Sequence, residues 1–225
     1  VSEFAAAVRT ALAAAGDPRR AAAQQRYMKS DLPFHGVAVP EVRRLTRALL
    51  AEYPIPDETV WEATIRELWD PATHREERYA ALAVARYPRH RRCASRLAAL
   101  ACYEHLIVSA AWWDLVDDVA HLLELVLETH PEAADTMRDW SRRPDLWLRR
   151  GAILCQLGRG PGTDPELLAY CIEGSIGDPD FFARKAIGWA LRQYARTDPG
   201  WVEGFLAGHP ELAPLSVREA RRALR

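Results

Sequence analysis

Along most of the chain, apolar residues recur at every third or fourth position with charged residues between them, and prolines and glycines break the rhythm at short intervals. That period belongs to amphipathic α-helices. It predicts helices over residues 2–15, 41–53, 58–69, 75–87, 145–157, 180–195 and 216–224. Ser2, Asp57, Asp164 and Asp198 stand where N-caps belong, several with Pro or Glu in the turn that follows. The sequence has no run of β-branched residues alternating with polar ones, so no strand is predicted. The fold class is all-α.

The helical pattern also repeats. The segment opening at Arg78 (Arg-Tyr-Ala-Ala-Leu-Ala-Val-Ala-Arg-Tyr) resembles those opening at Arg150 and Lys185, and segments with the same apolar layout open at Asp114 and Arg43. The spacing is roughly 36 residues over five units, enough for two antiparallel helices and two turns and close to the HEAT and armadillo range. This predicts an α-solenoid of HEAT-like repeats, residues 1–225 forming one domain with a concave face. Equivalent helices of such an array lie side by side, so equal registers face the same way. Arg150 is at register zero of its unit, Asp117 three residues into its own and Trp189 four into its own, and Trp113 lies one turn before Asp117. Positions three and four apart share a helix face. Two tryptophans, a carboxylate and an arginine from three successive repeats can therefore meet on one face; the alternative is that these tryptophans are core and Asp117 a solvated surface charge.

Composition sets limits on this picture. A chain of 225 residues, 49% of them apolar, is long enough for one large core or two small ones without disulfides or metals, and it is not disordered. The longest apolar runs, near 80–85 and 97–103, fall well short of the roughly 18 residues of a membrane span. The N-terminus lacks the layout of a signal peptide. A monomer with no membrane association is expected. Cys93, Cys102, Cys155 and Cys171 form no CxxC pair and sit in apolar helical patterns, as buried thiols of a reducing, cytoplasmic protein do. The seven histidines show no ligand spacing, so neither a metal nor another cofactor is expected. Most of the eight tryptophans should be core.

A net charge of −1 argues, as an average, against a nucleic-acid partner. The distribution argues otherwise. Residues 137–196 carry ten basic against seven acidic side chains, and the tail sets Arg218, Arg221, Arg222 and Arg225 against Glu219. Lysine occurs only at Lys29 and Lys185, so 28 of the 30 basic residues are arginine, which pairs with phosphate bidentately. A GC-rich genome produces the same bias, so the arginine count alone does not identify a phosphate partner.

Several stretches together resemble the AlkD family of DNA alkylation-repair glycosylases, which are built from HEAT-like repeats. They are Arg26-Tyr-Met-Lys29 with Pro33-Phe-His-Gly36, Ile65-Arg-Glu-Leu-Trp-Asp70, Trp112-Trp-Asp-Leu-Val-Asp117 in its apolar setting, Leu146-Trp-Leu-Arg-Arg-Gly-Ala-Ile-Leu-Cys-Gln-Leu157, Phe181-Phe-Ala-Arg-Lys-Ala-Ile-Gly-Trp189 and its continuation to Tyr194, and Glu211-Leu-Ala-Pro-Leu-Ser-Val-Arg-Glu-Ala220. The resemblance runs almost end to end. It implies that Asp117 is the catalytic carboxylate, that Trp113 and Trp189 are the active-site tryptophans, that Arg150 contacts DNA and that Tyr27 lies near the DNA cleft. It further implies hydrolysis of the N-glycosidic bond of cationic N3- and N7-alkylated purines in double-stranded DNA, without base flipping. Lys29, Arg184, Lys185 and Arg192 are further candidates for phosphate contacts. Asp114 and Asp118 flank Asp117 but point elsewhere on the helix, and Asp114 reads as structural. Where the family usually has Ala after the matched arginine, this chain has Gly151, which loosens the helix by roughly 0.5–1 kcal/mol. The competing reading, of a different class, is a catalytically inactive HEAT-repeat scaffold that binds DNA or protein.

Overall fold

The computed structural model describes residues 2–224. The described residues are helical throughout, joined by turns and three short 3-10 segments. They fall into two compact units, one ending at Ala94 and the other beginning at Ser95.

The first unit contains α1 (Glu3–Ala14), α2 (Pro18–Met28), α3 (Val39–Glu52), α4 (Glu58–Trp69), α5 (Arg75–Ala85) and a single turn, α6 (Arg91–Ala94). Helices α1, α3, α4 and α5 pack together around Leu12, Val42, Trp61, Trp69 and Leu82, all buried. Helix α2 has no buried residue. It is tied instead to the loop after it, where Arg20 donates to the Gly36 carbonyl (3.1 Å) and Gln24 to that of Val37 (3.2 Å). That loop is fixed from below: the buried Glu76 carboxylate accepts from the backbone N–H groups of His35, Gly36 and Val37 at 2.9–3.0 Å. Gly36 is required here, because its φ is +89° and an added Cβ would lie 2.0 Å from the Asp17 carbonyl oxygen.

The second unit contains α7 (Ala99–Ala110), α8 (Trp113–Thr129), α9 (Ala133–Trp140), α10 (Leu146–Leu154), α11 (Pro165–Glu173), α12 (Phe181–Tyr194), α13 (Pro199–Gly208) and α14 (Pro214–Ala220). Helices α8, α10, α12 and α14 lie side by side in that order. Helices α7, α9, α11 and α13 back them, α7 against α8 and α10, α9 and α11 against α10, and α13 against α12. The repeat register read from the sequence opens in α3, α5, α8, α10 and α12, and α3 packs on α5, α8 on α10, and α10 on α12. This is an all-α repeat fold.

The expected N-caps are in place. Ser2 accepts from the Ala5 N–H, Asp57 from Val60, Asp164 from Glu166 and Leu167, and Asp198 from Trp201. Each such cap satisfies an otherwise unpaired helix donor, worth about 1 kcal/mol. Asp17, Asp145 and Asp180 cap α2, α10 and α12 in the same way. Of the tryptophans, Trp61, Trp69, Trp140 and Trp147 are core, whereas Trp112, Trp113, Trp189 and Trp201 keep part of their surface exposed. The thiols of Cys102, Cys155 and Cys171 are buried, and Cys93 is half-buried. Burial pushes the Cys155 thiol well up and that of Cys171 up to about 12, so both act as small hydrophobes rather than nucleophiles.

Candidate active site and nucleic-acid interface

The turn between α7 and α8 sets the site. Ala111 ends α7 with φ of +44°, a left-handed conformation that costs a non-glycine residue roughly 1–2 kcal/mol. The extended Trp112 then caps α8, and Trp113 is its first residue. One turn on, Asp117 projects from the same face. Its carboxylate meets Arg150 from the neighbouring α10 in a bidentate pair, Nε to Oδ1 at 2.7 Å and Nη2 to Oδ2 at 2.8 Å. Arg150 Nη1 donates to the Phe182 carbonyl at the start of α12, also at 2.7 Å. One guanidinium thus joins the three successive helices α8, α10 and α12. The Asp117 side chain retains 14% exposure and that of Arg150 only 3%.

Several charges act on Asp117. Burial is the largest influence and pushes its carboxyl up; the bonds and charge of Arg150 pull it down, Asp114 adds an upward push and His121 a downward one. The result lies above the ordinary aspartate range. Trp189, on α12, is half-buried like Trp113. Beside this group lies an aromatic cluster in which Trp112, Trp147 and Phe182 are mutually in contact, with ring centroids 5.2–6.1 Å apart. Phe181 stands edge-on to Phe182 and is 56% exposed.

Arg150, expected to contact DNA, has its guanidinium turned inward onto Asp117 and the Phe182 carbonyl. The other expected cations are also engaged. Lys185 pairs with Glu219 of α14 at 2.9 Å and Arg192 with the same residue at 2.8 Å, and Arg184 donates to the Asp178 carbonyl. Each keeps some exposure. Tyr27, 73% exposed, and the exposed Lys29 lie at the end of α2 in the first unit, where Lys29 has φ of +50°. Among the described residues no group of three or more His, Cys, Asp or Glu side chains is placed to hold a metal ion, and no helix is long and apolar enough to cross a membrane.

The family model for the DNA alkylation repair enzyme matches residues 8–224. The chain belongs to the DNA alkylation repair enzyme family. Among solved structures it is similar to a predicted DNA alkylation repair enzyme from Enterococcus faecalis, with 30% identity and a TM-score of 0.82, covering 93% of this chain and 96% of that one. No match is found among curated proteins.

In this DNA alkylation repair family member, two groups at the site were not expected from sequence. The Phe182 carbonyl left no signal, because a backbone acceptor carries no residue type. Glu219 appeared only as a charge subtracting from the basic tail; its spacing to Arg222 fits a helical i, i+3 pair, and the two are 2.9 Å apart.

Proposed function

We propose that this protein is a DNA glycosylase that hydrolyses the N-glycosidic bond of cationic N3- and N7-alkylated purines in duplex DNA, without enclosing the base in a pocket. The observation that carries this reading is the Asp117–Arg150 pair, a rigidly held carboxylate with one edge open to solvent, one turn from a half-exposed tryptophan.

The chemistry is simple. Alkylation at N3 or N7 puts a positive charge on the base. When the bond from C1′ to the base breaks, its electron pair neutralises that charge and the base departs without a general acid. The sugar left behind has oxocarbenium character. A fixed carboxylate stabilises that cation, and a preorganised charge does so at no reorganisation cost during reaction. Asp117 also accepts a hydrogen bond from the attacking water, whose oxygen bonds to C1′ and whose proton passes to the carboxylate and then to solvent. The products are the free base and an abasic site. Arg150 keeps the carboxylate in one orientation. Trp113 and Trp189 hold the cationic nucleotide through their ring faces, roughly 0.5–2 kcal/mol each. Tyr27, Lys29, Arg184, Lys185 and Arg192 contact the DNA backbone.

The test is release of N7-methylguanine from methylated duplex DNA by the wild type and by Asp117→Asn. The Asn variant leaves Arg150 buried without its counter-ion, a change that costs about 3–5 kcal/mol when a buried pair is broken, so its helicity and Tm are measured alongside. Loss of release by a folded variant supports the proposal. Release near the wild-type rate refutes it. Wild-type protein that binds duplex DNA and releases no base is a scaffold.

A further inference from the structure

Outside the Asp117 site, charges of the second unit converge at Glu219. This carboxylate is 3% exposed and meets three cations: Lys185 at 2.9 Å, Arg192 at 2.8 Å and Arg222 at 2.9 Å. One buried anion against three cations leaves a local charge of about +2, and each cation reaches solvent, with 36%, 25% and 63% of its side chain exposed. The arrangement is built tightly. An added Cβ on Gly188 would lie 2.6 Å from Glu219 Cβ and 3.0 Å from the Ser216 carbonyl oxygen, so α12 and α14 approach as closely as backbones allow. Ser216 Oγ donates to the Arg184 carbonyl at 2.8 Å and fixes their register.

The cluster is continuous with the candidate site. Residues 182, 185, 189 and 192 follow one another at helical spacing along a single stripe of α12. That stripe begins at the residue whose carbonyl holds Arg150 and passes through Lys185 and Trp189 to Arg192. Long cationic side chains normally sample many rotamers, and ordering them on binding costs free energy. Here a buried carboxylate orders them in advance.

The geometry points to Glu219 as a positioning residue that holds Lys185, Arg192 and Arg222 as a preformed cradle for a backbone phosphate of DNA beside Trp189. The inference rests on the glycosylase reading only in taking duplex DNA as the ligand. It assigns a binding role to Arg222 and Glu219 that charge counting does not. A structural ion-pair hub and a phosphate cradle differ in one respect. Removing an acidic group strengthens anion binding through simple electrostatics, but weakens it when that group organises the donors.

The experiment measures binding of undamaged duplex DNA against salt concentration, with Tm recorded for each variant. Glu219→Gln is expected to bind more weakly than wild type although it is one charge more positive, and Glu219→Asp to recover part of the loss. Arg222→Gln changes an exposed side chain and leaves Tm near wild type. It is expected to lower the slope of log affinity against log salt by about 0.9, the contribution of one phosphate contact, which is about tenfold in affinity at 0.1 M salt. Binding by Glu219→Gln as tight as wild type or tighter overturns the proposal. So does an unchanged salt slope in Arg222→Gln, a measurement that stands even if Glu219→Gln fails to fold. A wild type that releases methylated bases while both variants bind normally sinks the cradle alone. A wild type that binds duplex with the expected slope differences but releases no base leaves the cradle standing and sinks the glycosylase reading. A wild type that does neither removes both.

Discussion

Asp117 and Arg150 face each other from adjacent helices through two parallel hydrogen bonds of 2.7 and 2.8 Å, and the arginine is the more deeply buried partner. The fork geometry of guanidinium fixes both carboxylate oxygens at once, which a lysine ammonium cannot do. Arg150→Lys keeps the charge and loses that fixation. It is expected to retain the fold while base release falls by about 10²-fold, the size of effect that a small misplacement of a catalytic group produces. Single-turnover release of N7-methylguanine, with Tm as control, measures it. Wild-type rates in Arg150→Lys would show that the charge alone matters.

The pH dependence follows from the same pair. Only the ionised Asp117 stabilises a sugar cation, and burial raises its carboxyl above the ordinary range despite Arg150. Activity is therefore lost as pH falls through a value above about 4, the usual aspartate value. Asp114 pushes Asp117 up and His121 pulls it down, so Asp114→Asn moves the acid limb to lower pH and Arg150→Gln moves it to higher pH. The stability effect has the opposite sense. A carboxyl raised on folding favours the folded state below its unfolded value, and that contribution declines as pH rises to the folded value. Rates of base release from pH 4 to 8 check the first point, and an acid limb that stays fixed in both variants contradicts it.

Glycines 151 and 188 make contrasting demands. A Cβ on Gly188 meets the Cβ of Glu219 and the backbone of Ser216 at 2.6–3.1 Å, so α12 and α14 would have to move apart. Gly188→Ala is expected to destabilise by about 1–3 kcal/mol through overpacking. A Cβ on Gly151 meets only side-chain tips, Ile107 Cδ1 at 3.1 Å and Leu123 Cδ1 at 3.8 Å. Gly151→Ala removes a flexible helix residue, worth roughly 0.5–1 kcal/mol, against a small shift of one methyl group, so it is expected to be neutral or mildly stabilising. Denaturant titration of the two variants separates these cases, and equal losses would contradict the packing argument.

The sequence was legible where periodicity and caps carry the information. The register of the repeats turns Asp117 and Arg150 toward each other from neighbouring helices, and α8 and α10 do lie side by side with those two side chains paired. Helices α2, α7 and α9 escaped. Helix α7 buries Leu100, Cys102, Tyr103, Leu106 and Ile107 around much of its circumference, and α2 buries nothing, so neither presents one clean apolar stripe. Helix α9 does bury one stripe, Ala133, Met137 and Trp140, but at eight residues it offers barely two turns of pattern. The roles of the cations were not readable from composition. Charge counting treats Glu219 as cancelling an arginine, whereas in three dimensions it gathers Lys185 and Arg192 from another helix. The partner of Arg150 was unreadable for the same reason: a residue type suited to phosphate is equally suited to a carboxylate, and only the fold shows that Asp117 lies within its reach.

Selectivity for charged lesions is expected to reside in the two site tryptophans. Trp61, Trp69 and Trp140 are sealed in the cores, so their replacement opens cavities and costs stability. Trp113 and Trp189 are half-buried, Trp113 one turn before Asp117 on α8 and Trp189 on α12. Their ring faces attract a cationic purine and have no comparable attraction for a neutral one. Trp113→Leu and Trp189→Leu are each expected to slow release of N7-methylguanine by about 2- to 30-fold, the rate equivalent of one cation–π contact, with Tm changing less than in Trp140→Leu. Each variant is then compared on a neutral purine lesion. If the tryptophans act through the charge, the ratio of rates for cationic over neutral lesions falls in both variants. If they act only as packing, both rates fall together and the ratio stays where it is in wild type.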